Sequence, residues 1–273
     1  RAALIPQTVI VIGRTTLSRS INTFLKLAPT QIVIDPRMAT VDSDRYADKR
    51  FTQIPELNTH KASPEWLEQW EKYSLRCGKS VDGLAGFTEA VIAREIAANL
   101  PDGSTLFVSS SRPIRDLEGF AAPRSGVTTH ANRGLAGIDG NISTALGIAC
   151  ASKQTFAVLG DLSFLHDLTG LIQREEINCA FIVINNDGGG IFSTLPQRGV
   201  DGFESVFGTP HGLDPAAIAA AMGILASTIS SVDELKKILK APVKGVSITV
   251  ANVPSRDENA DSLKAIYESM NSI

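Results

Sequence analysis

Cysteine is scarce: three in 273 residues, at positions 77, 150 and 179. An odd number, widely spaced and without metal-ligand spacing, excludes a disulfide framework and points to a reducing, cytoplasmic setting. Long apolar runs are missing. The longest fall far short of the ~20 residues needed to cross a bilayer, so membrane insertion is not expected. Neither sign of charge dominates. With 26 Lys and Arg against 29 Asp and Glu, the formal net charge is −3, which carries no signature of a nucleic-acid binder. No signal peptide, fixed-period repeat or low-complexity segment is legible. The chain opens at Arg1 rather than Met, as a chain that starts inside a longer protein would. No Ser-His-Asp arrangement, paired-carboxylate site or zinc spacing emerges. Gly13 ends the first β-branched run without the further glycines of a dinucleotide fingerprint, so a nucleotide-binding Rossmann protein is poorly supported.

What is present is a hydrophobic content of 43%, enough for a real core. Residues 8–12 and 31–34 read as strands around a helix over 18–27, a small Rossmann-like unit. Ser63-Pro64-Glu65 starts a helix running to about Arg76. Cys77-Gly78-Lys79-Ser80 reads as a linker, giving domains of 1–78 and 79–273. In the second domain, Phe87, Val91, Ile92, Ile96 and Leu100 recur at helical spacing. Strands follow over 105–108 and 127–129, then a small-residue helix over 140–151. Asp214-Pro215 opens a helix of alanines, 232–239 forms another, 246–250 is the last strand, and 257–270 is a closing amphipathic helix. Alternating strands and helices predict an α/β fold with a doubly wound parallel sheet, preceded by the smaller Rossmann-like domain.

The most informative stretch is Gly160-Asp161-Leu162-Ser163-Phe164-Leu165-His166-Asp167. Asn185-Asn186-Asp187-Gly188-Gly189-Gly190 follows, with Asn186 25 residues after Asp161. Apolar runs of strand length, 156–159 and 180–184, lead into each segment, with room for one helix between them. Ligands of open α/β sheets sit at the carboxyl ends of strands, so Asp161 and Asn186 are expected to face one crevice. A carboxylate, an amide oxygen and a backbone carbonyl are hard oxygen ligands, suited to a Mg²⁺ ion that also holds phosphate oxygens. The helix opening after Asp161 favours phosphate at its free N–H groups. Plainer readings stand beside these. Asp161 also fits a helix N-cap. Asn185-Asn186-Asp187-Gly188 also fits a turn. Three consecutive glycines fit either close backbone approach to a ligand or a flexible loop.

A Gly-Asp pair followed by Asn-Asn at this spacing resembles the metal–diphosphate motif of thiamine-diphosphate enzymes. The usual third residue is glycine, whereas here it is Leu162. That departure is similar to one branch, the menaquinone-pathway SEPHCHC synthases. Ser109-Ser110-Ser111-Arg112-Pro113-Ile114-Arg115-Asp116 resembles that family's substrate segment. Asn132-Arg133-Gly134-Leu135-Ala136-Gly137-Ile138-Asp139-Gly140 resembles its signature, and Phe207-Gly208-Thr209-Pro210-His211 adds a fifth match in order.

The resemblance implies the family's C-terminal half: a central domain and a thiamine-diphosphate-binding fold, without the N-terminal pyrimidine-binding domain. It implies thiamine diphosphate with Mg²⁺ or Mn²⁺, the metal held by Asp161, Asn186 and the carbonyl of Gly188. Gly160, Leu162 and Ser163 would line the diphosphate, with Ser163 donating its hydroxyl. Ile138, which pattern alone reads as core, would wedge the cofactor into its bent form, with Gly137 admitting the pyrimidine. Ile191 and Phe192 would form an apolar wall, which Leu195 extends or leaves for the core. Ser111, Arg115 and Arg133 would bind the dicarboxylates 2-oxoglutarate and isochorismate, the two arginines standing at converging strand ends. Arg112 ranks lower. His166 and His211 read as structural, while His60 and His130 carry no constellation. The implied reaction decarboxylates 2-oxoglutarate and adds the succinyl carbanion equivalent to isochorismate. The family's activating glutamate lies in the missing domain and its sites form between subunits, so a homodimer or tetramer is implied, and the isolated chain is expected to bind cofactor weakly without turnover. The rivals are another 2-oxoacid decarboxylase or acetolactate-type carboligase, which Leu162 and the 132–140 signature argue against, and a non-catalytic cofactor-binding fragment.

Overall fold

β-branched runs build the first sheet. In the computed structural model, which describes residues 4–15, 17–37, 46–56, 63–172 and 176–271, strands β1 (Thr8–Ile12), β2 (Thr30–Ile34) and β3 (Lys49–Phe51) pair in parallel in that order. Helix α1 (Arg19–Leu25) starts where the Ser18 hydroxyl accepts from Ile21 N. At the end of β2, the buried Asp35 carboxylate is gripped by the backbone and guanidinium of Arg37. Helix α2 (Pro64–Asp82) carries Trp66 and Trp70, and Trp70 packs edge-on to Phe24 of α1. Residues 77–80 are helical within α2, so the expected linker is absent: Gly78 sits in open space, and its lack of a side chain does not break a helix of this length. The chain divides into two compact units, residues 1–79 and 80–272. His60 lies outside the described residues.

The second unit holds six parallel strands in the order β5-β4-β6-β7-β9-β8. These are β4 (Ser104–Val108), β5 (Val127–His130), β6 (Thr155–Gly160), β7 (Cys179–Asn185), β8 (Leu225–Ile229) and β9 (Val246–Asn252). Between and after them lie α4 (Arg112–Phe120), α5 (Asn141–Ala149), α6 (Asp161–His166), α7 (Pro215–Ala221), α8 (Val232–Lys240) and α9 (Arg256–Asn271), with α3 (Glu89–Asn99) ahead of β4. The central strands are apolar on both faces, as a parallel sheet covered by helices requires. Ala157, Leu159, Phe181 and Val183 pack with Ile142 and Leu146 of α5 and Phe164 of α6. The alternate residues Phe156, Val158, Ile182 and Ile184 pack with Ile92 and Ile96 of α3 and Leu235 and Leu239 of α8. Each fully buried side chain of this size contributes roughly 1.5–3 kcal/mol.

From β4 the chain turns outward to β5, and from β6 it turns the other way to β7. Strand order therefore reverses between β4 and β6, the position at which open sheets of this kind place their ligand sites. Three elements were not legible beforehand: β3, β8 and α4. The connection from β6 to β7 is also shorter in helix than expected, with α6 followed by a 3₁₀ turn, Leu168–Ile172.

Candidate functional site at the carboxyl edge of the larger sheet

Register places the two leading segments side by side. Gly160 pairs with Ile184, so Asp161 emerges beside the end of β7. Asp161 is 3% exposed. Its Oδ1 accepts from Leu162 N at 2.7 Å, and its Oδ2 accepts from Gly188 N at 2.8 Å. Burial pushes the Asp161 carboxyl above the usual range, and the Gly188, Leu162 and His211 hydrogen bonds only partly offset it. His211 Nδ1 accepts from Leu213 N at 3.0 Å, which leaves the proton on Nε2, 3.3 Å from Asp161 Oδ2. His211 therefore touches the central carboxylate, while His166 is solvent-exposed.

Asn186 is buried. Its Nδ2 donates to Glu89 Oε1 at 2.5 Å, and its Oδ1 has no hydrogen-bond partner. An orphaned buried amide oxygen, two residues before the Gly188 N–H that binds the buried Asp161 carboxylate, fits a hard divalent cation. Among the described residues no three His, Cys, Asp or Glu side chains cluster as a metal site, so a cation here would rest on a mixed oxygen set. Asp187, at φ 63°, turns outward and accepts from His211 N and Gly212 N at 3.0 and 2.8 Å. Burial would raise its carboxyl, but those N–H groups outweigh it and hold it below the usual range.

The glycine run is required by the protein's own packing. A Cβ on Gly188 would meet Gly208 O at 2.2 Å, one on Gly189 Phe207 O at 2.2 Å, and one on Gly190 the Asn186 amide at 2.4 Å. For Gly188 and Gly189 the close approach is thus to residues 207–209, whose segment the sequence had marked as a separate motif. Phe192 and Phe207 are 5.4 Å apart, and Phe203 and Phe207 5.9 Å, an aromatic wall beside half-buried Ile191 and Leu195.

The loop at residues 131–140 is fastened to this centre. Ser163 Oγ donates to Ile138 O at 2.9 Å, so the hydroxyl expected on a diphosphate is committed to the protein. Ile138 is half-buried and joins none of the core clusters. Asp167 accepts from Ser143 N and Oγ at 2.7 and 3.1 Å, closing the first turn of α5. Ser110 Oγ reaches Asn132 O at 3.5 Å, next to the half-buried Arg133. Ser111 holds φ 73° at the start of α4, a strained conformation for serine of the kind that collects at functional sites. Arg115 does not stand at a strand end: it lies on the second turn of α4, with Nη1 donating to Ser111 O at 2.6 Å. The Ser111 turn, unreadable from propensity, made that helix invisible. Arg112 is engaged by buried Asp116 and lies 3.4 Å from Glu89 Oε2. Burial pushes the Asp116 carboxyl up, against the pull of Arg112. Sequence reasoning missed Glu89, whose partner Asn186 is 97 residues away, and it missed the Asp161–His211 contact.

A parallel sheet that carries buried oxygen groups at the carboxyl ends of neighbouring strands β6 and β7 fits a protein that holds a diphosphate cofactor. Residues 116–253 match the family model described as thiamine pyrophosphate enzyme, C-terminal TPP binding domain, and the chain belongs to that family. Curated relatives include 2-succinyl-5-enolpyruvyl-6-hydroxy-3-cyclohexene-1-carboxylate (SEPHCHC) synthases. The protein of that name from Thermobifida fusca is 38% identical over 250 residues, 87% of this chain and 45% of the relative. Those of Lysinibacillus sphaericus and Renibacterium salmoninarum are 34% identical over 293 residues and 37% over 259, covering 99% and 88% of this chain and 50% and 46% of their own. The chain spans about half the length of the curated relatives it matches. Among the described residues no helix is long and apolar enough to cross a membrane.

Proposed function

We propose that this chain is the cofactor-holding part of a SEPHCHC synthase. Together with a pyrimidine-binding domain from a second subunit, it would decarboxylate 2-oxoglutarate and add the succinyl unit to isochorismate. The observation that carries this reading is the unpartnered, buried Oδ1 of Asn186. It stands two residues before Gly188, whose N–H grips Asp161. Asp161, Asn186 and the Gly188 carbonyl would hold Mg²⁺ or Mn²⁺ and through it the diphosphate, with Gly160 and Leu162 lining it. Bound thiamine diphosphate supplies the electron sink that decarboxylation and carbon–carbon bond formation need.

The chain's own residues bind, orient and exclude water. Ile138 would press on the cofactor from a loop that Ser163 pins, and Gly137 would leave room for the ring. Ile191, Phe192 and the phenylalanines behind them keep water from the reacting carbon. Arg115 and Arg133 present guanidinium forks to the carboxylates of both substrates, and Ser111 adds a hydroxyl. Arg112 is held by Asp116 and Glu89 and serves the structure.

The test is calorimetric titration of thiamine diphosphate, with and without Mg²⁺, into wild type and Asp161→Ala. It is run on the chain alone and with the N-terminal half added. Magnesium-dependent binding that Asp161→Ala abolishes supports the reading. Absence of binding even with the N-terminal half present refutes it. Product formed by residues 1–273 alone would refute the need for a second domain.

A further inference from the structure

We propose that Glu89 is a positioning residue that fixes the orientation of the Asn186 amide and so decides which atom faces the cation. The inference rests on the cation site proposed above. Glu89 is the first residue of α3, follows the Thr88 N-cap, and is 3% exposed. An amide side chain has a donor end and an acceptor end of nearly equal size, and only its partners choose between them. A carboxylate can only accept. With Glu89 Oε1 2.5 Å from Asn186, the amide nitrogen must face the acid and Oδ1 must face away from it. Oδ1 lies buried there without a partner, which is the arrangement a cation ligand needs. The other oxygen of Glu89 lies 3.4 Å from Arg112 Nε, so its charge is balanced by the helix that carries Arg115. One acid thus anchors both the candidate metal ligand and the base of the candidate substrate helix. Groups outside the coordination sphere commonly change metal affinity about 10- to 100-fold when removed.

The experiment uses the full-length protein saturated with thiamine diphosphate. Mn²⁺ binding is followed by electron paramagnetic resonance for wild type, Glu89→Ala, Glu89→Gln and Asn186→Ala, with thermal melts of each. In Glu89→Gln the new amide turns its oxygen to Arg112 and its NH₂ to Asn186, which must flip and offer nitrogen to the cation. Both Glu89 variants should therefore lose Mn²⁺ affinity about 10- to 100-fold while melting as cooperatively as wild type. If Asn186→Ala loses affinity and the folded Glu89 variants stay within about twofold of wild type, the positioning role is overturned and the cation site stands. If Asn186→Ala itself binds Mn²⁺ as wild type does, the cation site fails and this proposal with it. If neither Glu89 variant folds, the acid serves folding and the proposal falls.

Discussion

Replacing Gly190 with alanine would place a methyl carbon 2.4 Å from Nδ2 of Asn186 and 3.2 Å from its Cγ. Gly190 has no positive φ, so the perturbation is steric and not torsional. Atoms of this kind rest about 3.5 Å apart, so the amide must retreat by about 1 Å. That breaks its 2.5 Å bond to Glu89. Losing a buried hydrogen bond to a charged acceptor costs about 1.5–3 kcal/mol, against which alanine returns about 0.4–1 kcal/mol by restricting the unfolded chain. The net loss is about 0.5–2.6 kcal/mol, a fall in melting temperature of about 1–10 °C for a unit of this size. Gly147 is the matched control. It lies exposed within α5, and a Cβ there meets nothing within 4 Å. Gly147→Ala should stabilise by about 0.5–1 kcal/mol, the helix-propensity difference alone. Urea unfolding followed by circular dichroism measures both. Opposite shifts of the midpoint at unchanged slope are expected. Equal stability of Gly190→Ala and wild type would refute the claim that the third glycine is reserved for the Asn186 side chain.

Asp167→Ala removes both acceptors of Ser143 and should cost about 2–3 kcal/mol by the same unfolding assay, with Asp167→Asn recovering part of it. In a thiol-labelling time course, exposed Cys150 should react first. Cys179, fully buried and with its thiol pushed up by burial, should react only on unfolding. The Arg37 guanidinium hydrogen-bonded to Asp35 holds that carboxyl down at about 2. A lowered folded value means the pair stabilises fully above the ordinary carboxylate range and is lost as pH falls toward about 2. Carboxyl chemical shifts should place the Asp35 midpoint there, and Arg37→Ala should return it toward the ordinary value.

The helices and strands that build the larger sheet were legible because their periodicity and punctuation agree. Asp214-Pro215 and the apolar runs before Asp161 and Asn185 each carry a local cause, as Ser63-Pro64 does for α2 of the first unit. The misses have local reasons too. β8, whose burial is largely that of an edge strand, lacks the apolar run of a central strand. Residues 77–80 look like a linker by composition, yet they continue a helix. α4 hides behind a serine in a conformation that serine rarely adopts. At the site, Asp161 and Asn186 stood out by spacing. Glu89 did not, because nothing near it in the chain reveals a partner fixed only when α3 packs across the end of β7. The role of the glycines was half legible: close approach was signalled, but the approaching backbone at 207–209 was not.

Two ties described above have a consequence for motion. Ser163 is bonded to Ile138, and Asp167 to Ser143, so α6 is fastened at its start to the connection between β5 and α5 and at its end to the first turn of α5. Neither segment can swing out without breaking bonds to the other. Amide protons from residues 138–143 and 161–167 should therefore exchange as one cooperative unit, with a common opening free energy. A guest lodged against that connection would enter and leave by a single opening event, and its residence time would follow the strength of two serine–backbone and aspartate–serine contacts more closely than the area it covers.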